Sequence, residues 1–312
     1  MIAFGPVSSR RLGLSLGINN IVSHKVCSYS CVYCQIGETR KKSVIRKVFY
    51  EPEKLVENVE KHLNMLDEKH YPDYLTFVAN GEPTLDINLG EEIRLLKKFG
   101  IPVAVITNSS LLHFPETRYD LMEADWVSVK VDTVNKSDWR KINRPPAFMK
   151  LQEILDGIGI FAKEYNGKLH TETMLVQNFN DSEKQIKQTA HFIAGLNPET
   201  AYLSIPTRPP AIKEIKPIAP ENLTSAWKTF RDLGIKTELI AGFEGTDAGF
   251  TGNAFEDILN ITAVHPLRED TMKELLENEN AEMLVLDSLI FQGLIKEIKH
   301  EGMTYYLRNY HL

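Results

Sequence analysis

From residue 74 to residue 241 short apolar runs alternate with helix-length segments, and this alternation limits the fold more than any other feature of the chain. Residues 74–79, 102–107, 126–131, 169–176, 201–205 and 236–241 read as buried strands, being short, apolar and rich in β-branched residues. Residues 52–68, 89–99, 149–165 and 182–194 read as helices, the second carrying Ile93, Leu95, Leu96 and Phe99 at helical spacing. Strands that alternate with helices pair in parallel through right-handed crossovers. A complete eight-unit barrel takes about 250 residues, yet the series supplies only six or seven strands. The pattern therefore predicts an α/β fold built on a partial (β/α)6 parallel barrel, with ligands at the C-terminal ends of its strands.

All three cysteines lie in one stretch, Cys27-Ser28-Tyr29-Ser30-Cys31-Val32-Tyr33-Cys34, with C-x3-C-x2-C spacing. Three thiolates this close can hold three corners of an iron–sulfur cube, leaving the fourth iron open to a substrate or cofactor. As core residues they would have poor neighbours in Ser, Tyr and Gln. A disulfide would strand one thiol and suits an exported chain, whereas residues 1–11 lack the long apolar stretch of a signal peptide. Zinc wants four ligands, usually in two close pairs, and His24 as a fourth would still leave no second pair of cysteines.

The spacing, with Tyr33 just before the last cysteine, resembles the cluster loop of the radical S-adenosylmethionine (SAM) superfamily. The resemblance implies a [4Fe–4S] cluster on Cys27, Cys31 and Cys34, with SAM chelating the open iron. One electron, from a donor such as flavodoxin or ferredoxin, would cleave SAM to a 5′-deoxyadenosyl radical. That radical would take hydrogen from an unidentified protein, peptide or small molecule. The broader iron–sulfur oxidoreductase group to which the chain is similar includes wybutosine-type tRNA-modifying enzymes, which carry a second cluster on additional cysteines that this chain lacks.

Several strand ends extend the resemblance. Asn80-Gly81-Glu82-Pro83-Thr84 is similar to the superfamily's GGEP motif, which implies that Gly81, Glu82 and Pro83 hold the amino group of SAM. Thr107-Asn108-Ser109 resembles a Thr-Asn-Gly of glycyl-radical activating enzymes, although the same residues also cap helices and form turns. Alternation sets Ser128, Lys130 and Asp132 on one face. Lys130 is expected either to meet the SAM carboxylate or a substrate acid, or to pair with Asp132. His170 and Glu172 share a face, with Glu172 toward the ribose hydroxyls, and Ser204 opens a stretch toward the adenine or the substrate unless its prolines simply end the strand. With Tyr33 these make the expected cofactor contacts. The first step requires no acid or base, and none is assigned.

Gly5 to Gly13, together with Ser15-Leu16-Gly17, resembles the opening of a radical SAM subgroup and reads as a substrate feature, with the first strand expected near residues 20–23. Arg40, Lys41, Lys42, Arg46 and Lys47 form a basic run that either binds phosphate or acidic peptide or is a solvated loop. The formal net charge of −6 argues against a general polyanion-binding surface, though not against a local patch. No run approaches the ~20 apolar residues that span a bilayer, so a cytoplasmic protein without membrane contact is expected. The glycine-rich stretch 242–252 is a connector or a lid.

Residues 1–255 thus form the expected barrel domain and residues 256–312 a smaller one. In the latter a helix from His265, a second over 281–292, and a hairpin of 294–299 with 303–307 give a winged-helix pattern. Residues 263–312 hold five Lys/Arg against nine Asp/Glu, a net of −4. Phosphate contacts dominate nucleic-acid affinity, so this unit is expected to dock protein or cover the barrel. Two alternatives stay open: an RNA-modifying radical SAM enzyme using the Arg40–Lys47 run, and a non-catalytic redox regulator binding nucleic acid through the winged helix. The Gly81-Glu82-Pro83 motif speaks against the regulator, which needs no SAM pocket.

Overall fold

The structure, a computed structural model, describes residues 2–21, 24–241 and 251–309. It opens on a hairpin, β1 (Ala3–Ser9) antiparallel to β2 (Gly13–Ile18). After α1 (Pro52–Leu63) come β3 (Tyr74–Phe77), α2 (Leu89–Leu96), β4 (Val103–Thr107), α3 (Pro115–Met122) and β5 (Trp126–Lys130). Then follow α4 (Lys136–Ile142), α5 (Leu151–Glu164), β6 (Lys168–Met174), α6 (Glu183–Leu196), β7 (Thr200–Ser204), α7 (Pro220–Asp232) and β8 (Thr237–Ile240). The eight strands pair in chain order from β1 to β8, and every pair from β2 onward is parallel. The sheet is an incomplete barrel, with β1 and β8 at its edges.

Alternation along the strands separates two surfaces. Leu16, Ile18, Leu75, Phe77, Val103, Val105, Val127 and Val129 join the main core with residues of α1, α2, α5, α6 and α7. The opposite face carries Ser15, Thr76, Ser128, His170 and Glu172, all buried, with Ser15 and Thr76 sharing a 2.6 Å hydrogen bond. A polar inner face is the expected lining of a ligand-holding barrel.

The first parallel strand is β2, earlier than the expected 20–23, of which Val22 and Ser23 lie outside the described residues. The segment read as a substrate feature forms the N-terminal hairpin. Gly17 has a packing reason: a Cβ there would sit 2.0 Å from Phe4 Cζ, so the glycine lets the Phe4 ring lie across β2. Helices α3, α4 and α7 were not anticipated. In α3 only Thr117 and Leu121 are buried, too few for an amphipathic stripe to show.

The C-terminal residues form α8 (Ala254–Val264), β9 (Leu267–Arg268), α9 (Glu269–Asn278), α10 (Met283–Phe291), β10 (Ile295–His300) and β11 (Met303–Arg308). The three strands pair in the order β10-β11-β9. The helix expected from His265 starts at Glu269, because Leu267 and Arg268 pair with Tyr306 and Tyr305, and α8 precedes it unanticipated. The core of this unit, including Ile258, Ile261, Met272, Leu275, Leu286 and Leu289, takes in Phe4 of β1, with Val7 and Val78 against it. Most of the glycine-rich stretch lies outside the described residues. No helix among the described residues is long and apolar enough to cross a membrane.

Candidate cofactor site

The cysteine loop docks across the end of β3. Val26 N–H donates to Asn80 O at 3.1 Å, and Glu82 N–H donates to Val26 O at 3.0 Å. Gly81, at φ +143°, makes this contact possible: a Cβ there would lie 1.7 Å from Val26 O. Position 81 must therefore be glycine to seat the loop, whatever else its backbone does. From the other side Ser30 and Val32 N–H groups donate to Asn143 O (3.0 Å) and Ile142 O (2.9 Å) at the end of α4.

Each of the three sulfurs has an N–H donor. Lys25 Nζ lies 3.1 Å from Cys34 Sγ, Asn108 Nδ2 3.4 Å from Cys27 Sγ, and Asn143 Nδ2 3.4 Å from Cys31 Sγ. Burial pushes the Cys27 thiol up to about 11 and the Cys31 thiol up to about 12. These thiols hold their protons at neutral pH and release them only when a metal takes their place. No three His, Cys, Asp or Glu side chains among the described residues converge tightly enough for one metal ion. A cubane asks for a different arrangement, in which each thiolate binds its own iron. Three cysteines on one loop, each sulfur facing a donor or a cation, suit a cluster that gathers negative charge.

Glu82 is buried, and both its oxygens accept. Oε1 takes Thr84 Oγ1 (2.7 Å) and Thr107 Oγ1 (2.6 Å), and Oε2 takes Asn108 N–H (2.7 Å). Burial raises its carboxyl, and the hydrogen bonds from Thr107, Thr84 and Asn108 oppose the rise. The carboxylate thus ties the end of β3 to the end of β4, one residue from Gly81. Pro83 starts a short 3-10 turn, and its carbonyl accepts from Asn20 Nδ2 at 3.1 Å.

Deeper in the barrel, Lys130 donates from Nζ to Glu172 Oε1 at 2.8 Å, Ser204 Oγ donates to the same oxygen at 3.2 Å, and Arg11 pairs with Glu172 Oε2. Burial alone would raise Glu172, but Arg11 and Lys130 outweigh it and hold the carboxyl at about 2. Lys130 also stands over the Tyr33 ring, 5.2 Å from its centroid. The expected Lys130–Asp132 pair does not form. Asp132 accepts instead from the Tyr33 hydroxyl, from Asn143 Nδ2 at 2.7 Å and from Met174 N–H at 2.9 Å. His170 stacks between Trp126 (4.6 Å) and Tyr202 (5.6 Å), and burial pulls it down to about 4, so it is a neutral ring filling the barrel.

Tyr33, Glu82, Thr107, Asn108, Lys130, Glu172 and Ser204 are thus linked to the cysteine loop or to one another by direct contacts. Sequence reasoning missed Lys25, Asn143 and Arg11 as members. Lys25 stands two residues before Cys27 and was legible as a cation beside thiolates; Asn143, after an unanticipated helix, carries no sequence signal. In the basic run, Arg46 turns inward to Thr84 O (2.9 Å), Asp86 O (2.8 Å) and the Asp120 carboxylate, so its part there is structural.

Comparison with known proteins agrees with this geometry. The family model for the Radical SAM superfamily matches residues 21–193. The UPF0026 protein MJ1312 of Methanocaldococcus jannaschii is 45% identical over 310 residues, covering 99% of this chain and 96% of its own. A structure of TYW1 with a lysine-pyruvate adduct bound aligns at a TM-score of 0.50 and 16% identity, covering 96% of this chain and 82% of that one. Streptococcus suis SuiB bound to S-adenosylmethionine aligns at 0.53 and 11% identity, covering 72% of this chain and 51% of that one. Both share the fold. With the family model spanning the cluster loop and the strands from β3 to β6, the chain belongs to the radical SAM superfamily, whose enzymes use a [4Fe–4S] cluster and SAM.

Proposed function

We propose that Cys27, Cys31 and Cys34 hold the cluster, and that Tyr33, Gly81, Glu82, Pro83, Thr107, Asn108, Lys130, Glu172 and Ser204 form the pocket in which SAM is reductively cleaved. When bound, cluster and SAM supply a 5′-deoxyadenosyl radical able to take hydrogen from an unreactive C–H bond. The observation that carries this reading is the donor at each cysteine sulfur beside the buried Glu82–Asn108 tie.

The protein's own contribution is charge placement and exclusion of water. Lys25 offsets negative charge at Cys34. Asn108 joins the two halves of the pocket, its backbone N–H on Glu82 and its side-chain amide on Cys27. The cofactor's ammonium finds acceptors at the end of β3. Its carboxylate and ribose find Lys130, Glu172 and Ser204, whose mutual ion pair and hydrogen bond keep them oriented before binding. A small reducing protein such as flavodoxin or ferredoxin supplies the electron. The substrate carries the unreactive C–H bond, and the C-terminal unit is a winged helix beside the barrel.

The test is anaerobic. The cluster is reconstituted, dithionite and SAM are added, and 5′-deoxyadenosine is measured by mass spectrometry. Release that Cys31→Ala abolishes supports the reading. A confirmed four-iron protein that binds SAM and releases none under any reductant counts against it.

A further inference from the structure

A cleft of about 1410 Å³ lies between the outer side of the cysteine loop and the C-terminal unit. Lys41 and Lys47 stand on one wall, and Lys296, Lys299 and Arg308, from β10 and the end of β11, on the other. Nine lysines and arginines line it against two glutamates, in a chain whose formal net charge is −6. Among the described residues the side chains of Lys41, Lys213, Lys296 and Lys299 have no ion-pair or hydrogen-bond partner. Cations crowded on facing walls repel one another, and an anion between them relieves that cost. Two apolar side chains stand among them in water, Phe148 (70% exposed) and Ile45 (74% exposed).

The cleft is fixed to the cofactor site. Lys25, on its wall, holds Cys34. Gln35, next to Cys34, donates to Val264 O at 2.8 Å and accepts from Arg208 at 2.7 Å, so the end of α8 is joined to the cysteine loop. A ligand lying in the cleft runs along the cluster loop.

We propose that this cleft binds a single-stranded segment of RNA and that RNA is the substrate class of the enzyme; the proposal rests on the radical SAM reading above. Phosphates answer the unpaired lysines on both walls. Unstacked bases answer Phe148 and Ile45, as in other single-strand grooves where a charged track is combined with a stacking side chain. RNA commonly presents such bases in loops and bulges, where enzymes read them. An acidic protein explains the charge but not the concavity with exposed apolar side chains inside it. Lysines on β10, an edge strand, also guard against edge-to-edge pairing, but that leaves Lys41, Lys47 and Lys213 on other segments without a reason. The net charge of the C-terminal residues concealed this surface, because three of their five basic side chains line the cleft.

The experiment uses the full, cluster-loaded chain and a fluorescein-labelled single-stranded RNA of about 12 nucleotides, a length within the usual single-strand site, read by anisotropy. Contacts to about four phosphates give a log–log salt slope of about −3. Lys296→Glu/Lys299→Glu on one wall and Lys41→Glu/Lys47→Glu on the other are each expected to weaken binding at least about tenfold and to flatten that slope. Lys184→Glu/Lys228→Glu, on α6 and α7, serves as a control and leaves binding unchanged. The proposal is overturned if the wall variants bind like the unaltered chain, if no RNA binds at low salt, or if single-stranded DNA or polyglutamate binds as tightly. SAM cleavage with dithionite alone stays unchanged in all wall variants, since none of these lysines touches the cysteines or the proposed SAM pocket. Failure of SAM cleavage in the unaltered chain would instead count against the radical SAM reading and leave the binding result standing.

Discussion

Lys130 Nζ lies 2.8 Å from Glu172 Oε1 because the two residues are register partners on adjacent parallel strands. Cross-strand neighbours are about 5 Å apart, whereas Lys130 and Asp132, two positions apart in the chain, stand nearer 7 Å. The pair across the sheet therefore wins over the pair along it. Arg11, reaching in from the turn of the N-terminal hairpin, binds the second carboxylate oxygen and closes a triad around the buried Glu172 carboxylate.

Glu172→Gln is expected to leave Lys130 and Arg11 without their counter-charge. Breaking a buried pair by removing one partner costs about 3–5 kcal/mol. Urea denaturation at neutral pH should show a loss of that order. A loss under about 1 kcal/mol, the scale of an exposed bridge, would mean that water already screens the triad.

Gly81→Ala should separate folding from cluster binding. The added methyl would meet Val26 O at 1.7 Å, and alanine is strained at φ +143°. The cysteine loop must lift from β3, while the barrel core does not depend on that contact. Iron and sulfide bound after reconstitution should fall severalfold, with the far-ultraviolet circular dichroism unchanged. Full iron content in the variant would show that the loop closes without the contact.

Much of this architecture was legible. The strands from β3 to β8 announce themselves as short apolar runs, and the cysteines and the Gly81-Glu82-Pro83 turn mark two of the strand ends that matter. The hairpin was not, because Gly5, Pro6, Gly13 and Gly17 look like loop residues, and only the packing of Phe4 over Gly17 makes them strands. Asn143 and Arg11 reach the site from elements distant in sequence, and no local pattern encodes such meetings. The basic cleft was half visible: Lys41 and Lys47 stand in an evident run, but Lys296 and Lys299 are hidden in a stretch whose summed charge is negative.

Glu92 of α2 gives a pH signature. It is fully buried, with Asn20 Nδ2 3.5 Å from Oε2 and no hydrogen-bond partner for Oε1 among the described residues. Burial, helped by the nearby Asp86 carboxylate, pushes it up to about 9. The folded chain thus keeps a proton that the unfolded chain releases near its ordinary 4.5. Its contribution is fully present below that value and is lost as pH rises toward 9, at up to about 1.4 kcal/mol per pH unit. Glu92→Gln cannot ionise. Thermal melts at pH 7, 8 and 9 should therefore show the variant gaining on the unaltered chain at each step. A constant difference would place the titration of Glu92 outside this range.

The joint between the barrel and the C-terminal unit offers the last test. Arg208, four residues past β7, donates to Gln35 Oε1 at 2.7 Å and lies 3.1 Å from His265 Nε2, while Tyr305 donates to Thr207 O at 3.1 Å. The apolar contact of Phe4 with the C-terminal core is separate from these polar ties. Arg208→Ala removes at least these two ties at once, and hydrogen bonds of this kind contribute about 1 kcal/mol each. The apolar contact holds the unit in place, so the global melting midpoint should move little. Local opening should rise: amide exchange in residues 262–268 and in the cysteine loop around Gln35 is expected to quicken together, about tenfold or more, since a factor of ten corresponds to about 1.4 kcal/mol. Quickening confined to residues 262–268 would show that the cysteine loop stands without Arg208.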